Sequence, residues 1–233
     1  MVVASFHLVR FARGPALRRL ASVPLDRRRL ASTPGLRFGR LLGTGRGRTM
    51  TTSADLRRWA VFATWDDVDA LHRFLDRPLD GRWREAVERY DVTLDPLGAH
   101  GTWGGEDPLA GGAATGSGAE GPIAVLTRAT VRATSLRTFL RAVPPVDALL
   151  DDTDGLLAAV GIGEVPVGRQ ATFSLWRDAE AIQAFAYRDR THAEVVERTR
   201  SEDWYGEEWF ARFRPVDRSG TWDGVDPLAG ATS

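Results

Sequence analysis

Four histidines, His7, His72, His100 and His192, are the side chains in this 233-residue sequence best suited to bind a metal or cofactor. Cysteine is absent, and all 31 basic residues are arginine. The missing thiols exclude disulfides, thiolate nucleophiles, iron–sulfur clusters, cysteine zinc sites and thiolate-ligated haem. The missing lysines exclude Schiff-base chemistry and a P-loop. Metal chemistry must then run on histidine and carboxylates. No two histidines stand in HxH or HxxxH spacing. A lone imidazole suits haem iron, which needs one proximal protein ligand, better than zinc, which needs three or four.

Among the four, His192 has the local setting of a ligand. Thr191-His192-Ala193-Glu194 reads as a capping box, with Thr191 as N-cap and Glu194 three residues on. His192 would then take the first helical position, where the helix dipole disfavours protonation and keeps the imidazole neutral. Val195, Val196 and Thr199 follow at helical spacing, which turns His192 toward the apolar side. His100, in a turn before Gly101, is the runner-up ligand. His7 falls in a first strand, and His72 on a solvated helix face. Arg128, Arg169, Arg188 and Arg37 are candidates to pair with haem propionates or another anion. Gly161-Ile162-Gly163 lacks the third glycine of a dinucleotide fingerprint. No Ser/His/Asp arrangement, paired carboxylates or RNP-type signature stands out, so no nucleic-acid partner is expected.

The elements that must position these residues come in two sets, because the sequence repeats itself. Gly101-Thr102-Trp103 with Asp107-Pro108-Leu109-Ala110 recurs as Gly220-Thr221-Trp222 with Asp226-Pro227-Leu228-Ala229, an offset of 119. Phe62, Trp65, Asp67, Ala70, Leu71 and Phe74 recur as Phe173, Trp176, Asp178, Ala181, Ile182 and Phe185, an offset of 111. The predicted organisation is a unit spanning 1–111, a Gly/Ala/Ser-rich linker at 112–121, and a second unit spanning 122–233. Each unit reads as a strand (3–11; 122–132), a helical segment (15–31; 134–150) and a glycine-flanked strand (35–43; 155–162). A strong strand (58–65; 170–176), a helix capped by Asp66 and Asp67 or Asp178, and a last strand (90–97; 209–216) complete it. The order β-α-β-β-α-β is that of a ferredoxin-like unit. The expected fold class is α+β, two tandem ferredoxin-like units closing into a dimeric-α/β-barrel-like fold within one chain.

Where the copies differ, function is expected. Aligning Glu85, Val87, Glu88 and Arg89 with Glu194, Val196, Glu197 and Arg198 sets Trp83 against His192. One copy carries the bulkiest apolar ring where the other carries an imidazole, as expected of one site per chain.

Charge is also unevenly divided. Residues 1–60 hold thirteen arginines against Asp26 and Asp55, a balance of +11, and the remainder carries −11. A basic first quarter fits an anionic partner such as a membrane surface. No uninterrupted apolar run approaches the ~18 residues needed to span a bilayer. The expected location is cytoplasmic, with peripheral contact on an anionic membrane.

Several segments resemble the spheroidene monooxygenase family, the acyclic carotenoid 2-ketolases and their relatives. They are Thr172-Phe173-Ser174-Leu175-Trp176, Phe185-Ala186-Tyr187-Arg188, His192-Ala193-Glu194-Val195-Val196, Trp204-Tyr205 and Phe210-Ala211-Arg212-Phe213. Gly35-Leu36-Arg37-Phe38, Leu42-Gly43-Thr44-Gly45-Arg46 and the run Gly121 to Thr130 are similar to the same family. The resemblance implies a dimeric-α/β-barrel-like fold and a haem-dependent enzyme that uses O2 to place oxygen at the end of a long polyene. With it go an apolar small-molecule substrate and an electron donor that the sequence does not name; a homodimer is compatible with it. His192, Arg188, Arg128 and Arg37 are then expected around the haem, and Phe173, Leu175 and Tyr187 around the substrate. Phe173 and Leu175 share one sheet face and Thr172 and Ser174 the other, so only one of these pairs faces the pocket. Two other readings stay open, a cofactor-free monooxygenase of the same fold and a non-enzymatic haem or small-ligand binding protein.

Overall fold

In the computed structural model the described residues are 2–14, 16–46, 54–112, 120–132, 134–135, 138, 153–164, 169–188 and 204–231. The element order is β1 (Val3–Arg10), α1 (Ala16–Ala31), β2 (Leu36–Gly45), β3 (Ala54–Trp65), α2 (Val68–Asp76), a 3-10 turn (Arg82–Glu85) and β4 (Glu88–Gly101). It continues with β5 (Ile123–Val131), β6 (Leu156–Gly163), β7 (Arg169–Trp176), α3 (Ala179–Arg188) and β8 (Tyr205–Gly220). The eight strands close a barrel in the order β1-β3-β2-β6-β7-β5-β8-β4, with every ladder antiparallel. Within it β4-β1-β3-β2 and β8-β5-β7-β6 run in the same order. One seam, β4 with β8, extends from Tyr90↔Gly220 to Gly101↔Trp209. The other, β2 with β6, pairs only Gly43↔Gly163 and Thr44↔Ile162.

Most expected strands lie within two residues of their predicted limits. The last strand of each half is longer than expected, 88–101 and 205–220. The two pair with each other, which gives backbone partners to residues that would otherwise fray. Glu88 and Arg89, which the repeat matches to Glu197 and Arg198 behind the expected helical turn at His192, begin β4, and the helical turn before them is only Arg82–Glu85. The helical segment expected at 134–150 lies almost wholly outside the described residues. Of the three expected cap residues, Asp67 and Asp178 cap: Asp67 Oδ1 accepts the Ala70 N–H at 2.8 Å, and Asp178 Oδ1 accepts the Ala181 N–H at 2.7 Å, while Asp66 precedes the cap of α2.

Alternation along the strands divides the apolar residues between the barrel interior and the outer layer. Phe6, Phe62, Phe173, Phe213, Trp209 and Leu175 fill the interior, each fully buried. The Phe6 and Phe173 rings stack across it at 3.8 Å between centroids. Outside, α2 lays Ala70, Leu71 and Phe74 on the first half, with Trp65 5.1 Å from Phe74. On the second half α3 does the same, with Trp176 5.4 Å from Phe185. Trp65 and Trp176 each donate an indole N–H to a serine of the sheet, Ser5 and Ser174. Their recurrence is thus explained by packing.

The repeated Gly-Thr-Trp segments seal the barrel ends. The Trp103 N–H bonds the Glu106 carbonyl at 2.8 Å, and the Trp222 N–H bonds that of Val225 at 2.7 Å. Trp103 lies flat on Phe62 with centroids 5.8 Å apart, and Trp222 lies near Phe6 and Phe173. Gly101 and Gly220 open these turns at φ 86° and 82°. A Cβ on Gly220 would sit 2.0 Å from the Arg89 carbonyl oxygen. Gly220→Ala must therefore break the seam backbone or distort the turn. A loss of about 3 kcal/mol or more is expected, read as a lowered urea midpoint.

Candidate functional site

The outer faces of the two halves differ in side-chain size at matched positions. In the first half the row His7–Val61–Leu41 crosses β1, β3 and β2. All three are buried, at 1%, 0% and 4% exposure. The matching row of the second half is Thr127–Thr172–Gly161 on β5, β7 and β6. Thr127 is exposed and Thr172 partly exposed, although each lies mid-strand between buried neighbours. One row further, Val9–Trp59–Gly43 is matched by Ala129–Gln170–Gly163. Trp59 is nearly buried and donates its indole N–H to the Leu56 carbonyl. Gln170 is 5% exposed, and its Oε1 accepts no hydrogen bond. Among the described residues the outer face of the second half is therefore floored by small residues, a hollow relative to the first half, where His7, Val61, Leu41 and Trp59 fill the same positions.

Trp83 belongs to that filling. It is 3% exposed, in the 3-10 turn over Trp59 and Leu41, beside a small cavity also lined by Phe11, Val23 and Asp26. The residue the sequence sets against Trp83, His192, lies outside the described residues. Tyr187 and Arg188 close α3.

The remaining candidates are scattered. Arg128 lies on the inner face of β5, 3% exposed, paired with Glu207 and 5.8 Å above the Trp103 ring. Arg37 is exposed on β2 and donates to the Ala110 carbonyl at 2.7 Å. Arg169 lies 3.6 Å from Glu164. Phe173 and Leu175 belong to the packed interior, so Thr172 and Ser174 are the pair that faces outward. His100 is exposed near the end of β4, not in a turn, with its ring 5.3 Å from Phe210. Among the described residues no three of His, Asp and Glu form a metal-ligating group. The size asymmetry at Thr127, Thr172 and Gly161 was the signal missed in the sequence, since it appears only when the strands are aligned through their pairing.

The structure also assembles a Ser/His/Asp set that the sequence did not reveal. His7 Nδ1 lies 2.7 Å from Asp91 Oδ1, and Nε2 lies 2.8 Å from Ser5 Oγ. Arg89 Nε is 2.6 Å from the other Asp91 oxygen. Burial pushes the Asp91 carboxyl up, but the hydrogen bond and charge of His7, with Arg89, outweigh it and hold it below the usual carboxylate range. Ser5 is fully buried and accepts the Trp65 N–H, and the His7 ring lies 5.1 Å from that of Phe74 on α2. No substrate reaches it, and the set fixes β1 to β3 and β4.

At the barrel end Glu207 collects Arg128, the Thr102 hydroxyl at 2.9 Å and the Gly105 N–H at 2.7 Å. Burial raises its pKa, but the Gly105 and Gly104 amides, Arg128 and Thr102 bring it down to about 2. A depressed folded-state pKa gives stability that is full above the unfolded value of 4.5 and is lost as pH falls toward 2. Glu207→Gln is expected to flatten stability against pH across that window. It should also cost on the order of 2 kcal/mol at neutral pH, because Arg128 is left buried without its partner. Urea unfolding at several pH values reads both effects.

No protein-family model matches the chain. Curated relatives do. The chain is 36% identical over 232 residues to the spheroidene monooxygenase of Rhodobacter capsulatus, covering 98% of this chain and 96% of that protein. The chain belongs to the spheroidene monooxygenase family. A second relative, the spheroidene monooxygenase of Rubrivivax gelatinosus, is 34% identical over 82% of this chain and 73% of its own length. Among solved structures an aldoxime dehydratase in complex with butyraldoxime superposes with a TM-score of 0.62. It is 12% identical over 98% of this chain and 84% of that one. Another aldoxime dehydratase gives a TM-score of 0.56 at 11% identity, over 99% of this chain and 83% of that one. At such identity these likenesses establish the barrel fold alone. The family places the chain among the monooxygenases.

Proposed function

We propose that this monooxygenase is haem-dependent, oxidises an acyclic carotenoid near one end of its polyene, and holds its cofactor on the outer face of the second half. The near-full-length identity to the Rhodobacter capsulatus enzyme carries the reaction class and the substrate class. In the hollow floored by Thr127, Thr172 and Gly161, a planar group finds room that His7, Val61 and Leu41 deny it on the other half. The unpartnered Gln170 Oε1 in the next row is a buried acceptor consistent with a polar ligand nearby. The residues present thus fit a haem. His192 would hold its iron, and Arg188 a propionate, since Arg128 and Arg37 already have protein partners.

When bound, haem supplies the activation of O2. The rest is done by the chain's own side chains. The Thr127 and Thr172 hydroxyls would offer hydrogen bonds to a bound group, and the unpartnered Gln170 Oε1 would accept one from it. Val125 and Ala129, both buried, border Thr127 on the same face of β5 and give the site an apolar edge. Each oxidation places one oxygen atom in the substrate and reduces the other to water, using two electrons from an external donor. A first insertion gives an alcohol, and a second at the same carbon gives a ketone after loss of water.

The fold is read as two ferredoxin-like units, residues 1–111 and 122–233, joined by the linker 112–121 into a dimeric-α/β-barrel-like whole. The identical strand orders of the halves support this. A cofactor-free reading predicts no visible absorbance and activity without haemin. Purified protein titrated with haemin, followed by turnover of an acyclic carotenoid under 18O2, tests the proposal. A Soret band with labelled ketone is the expected result, and label incorporated by haem-free protein overturns it.

A further inference from the structure

We infer that the outward face of α1 seats the protein on an anionic lipid surface. The helix packs Val23, Asp26 and Leu30 toward the barrel. At 3.6 residues per turn the opposite side carries Leu20, Ala21, Pro24, Leu25 and Arg28, all exposed. Leu20 and Leu25 are 47% and 45% exposed, among the most exposed large apolar side chains described. Arg27 borders the stripe and Arg13 precedes the helix, both solvent-facing.

Charge selects the occupant. From Val2 to Arg46 there is one carboxylate, Asp26. It is 5% exposed and committed to Arg82 and Ser22. The face therefore presents leucines among arginines with no exposed acid on its own segment, the pattern of a helix lying in a bilayer interface. A protein partner would have to match leucines and arginines residue by residue, whereas an anionic bilayer matches both at once. Among the described residues no helix is long and apolar enough to cross a membrane, so the contact lies on the surface. The reason for such a contact rests on the reading above: a long polyene is dissolved in lipid, and a docked enzyme takes it from there.

The test uses the full-length protein in flotation with phosphatidylcholine vesicles, with and without phosphatidylglycerol. Wild type should float with the anionic vesicles, weakly with the neutral ones, and less as salt is raised. The double variant Leu20→Glu/Leu25→Glu alters only solvent-facing positions and should lose about tenfold or more of the binding. Arg28→Glu should lose about fivefold or more, the worth of one basic residue at such a surface. Circular dichroism confirms that both variants are folded. Equal flotation of the double variant overturns the proposal, as does a change in its oligomeric state without a change in lipid binding, which would make the face a contact between copies. Turnover of detergent-dispersed carotenoid separates the two readings. Activity kept in detergent but lost from vesicles is the expected outcome, and no activity in either, with flotation intact, overturns the enzymatic reading alone.

Discussion

His192→Ala is expected to abolish haem uptake, leaving no Soret band after haemin titration while far-ultraviolet circular dichroism is unchanged. On the haem-dependent reading proposed above, and with no cysteine and no paired histidines, a single imidazole is the expected iron ligand. His72 and His100 are exposed on the first half and on the β4–β8 seam, and His7 is spent on Asp91 and Ser5. In the sequence His192 alone reads as opening a capped helical turn, and it belongs to the half whose described outer face carries the small residues Thr127, Thr172 and Gly161. Loss of hydrogen-bond partners around a metal ligand already weakens binding roughly 10–100-fold, and loss of the ligand itself must exceed that. His100→Ala is the control and should titrate like wild type. A Soret band that survives His192→Ala and vanishes in His100→Ala would move the site to the runner-up.

The second large effect is expected from filling the hollow. Thr172 lies between Thr127 and Gly161, with its side chain on the outer face and partly exposed. Its counterpart, Val61, is fully buried beneath the first half's layer. Thr172→Phe adds a ring where there is space, and an aromatic residue suits a strand, so folding should be kept. On the proposed reading haem and substrate share that space. The expectation is that haemin binding falls by more than about tenfold with the urea midpoint within ~1 kcal/mol of wild type. Phe173→Leu, by contrast, alters a fully packed interior position stacked on Phe6 and should lower stability with haem binding retained. The opposite pattern would place the site inside the barrel.

Much of this architecture was legible because local signals and period agreed. Asp67 and Asp178 mark helix starts by a mechanism that needs only neighbouring residues, and both cap as expected. Interior strands such as Phe62 to Trp65 read clearly through their apolar composition. Which face of β7 looks inward could not be read from Phe173 and Leu175 alone, since alternation fixes parity but not direction. Nor could the lengths of β4 and β8, whose ends depend on a partner more than a hundred residues away. His7 with Asp91 eluded the sequence for the same reason, because the pair meets only across the β1–β4 ladder. The hollow is the clearest case. Each residue in it, Thr127, Thr172 and Gly161, is unremarkable alone and informative only beside His7, Val61 and Leu41.

The Phe6–Phe173 stack has a consequence for how the chain is made. These rings come from opposite halves, and the first half ends its last strand at Gly101 before the second has begun. Until β5 to β8 leave the ribosome, Phe6, Phe62 and Trp103 stand on an uncovered sheet. The nascent first half is thus an aggregation-prone intermediate by construction. Among the described strands, β8 is the one that pairs with β4 from Tyr90 to Gly101, and it follows all the others in the chain. Closure therefore waits for β8, and until then the half-built barrel must be shielded by chaperones or by speed.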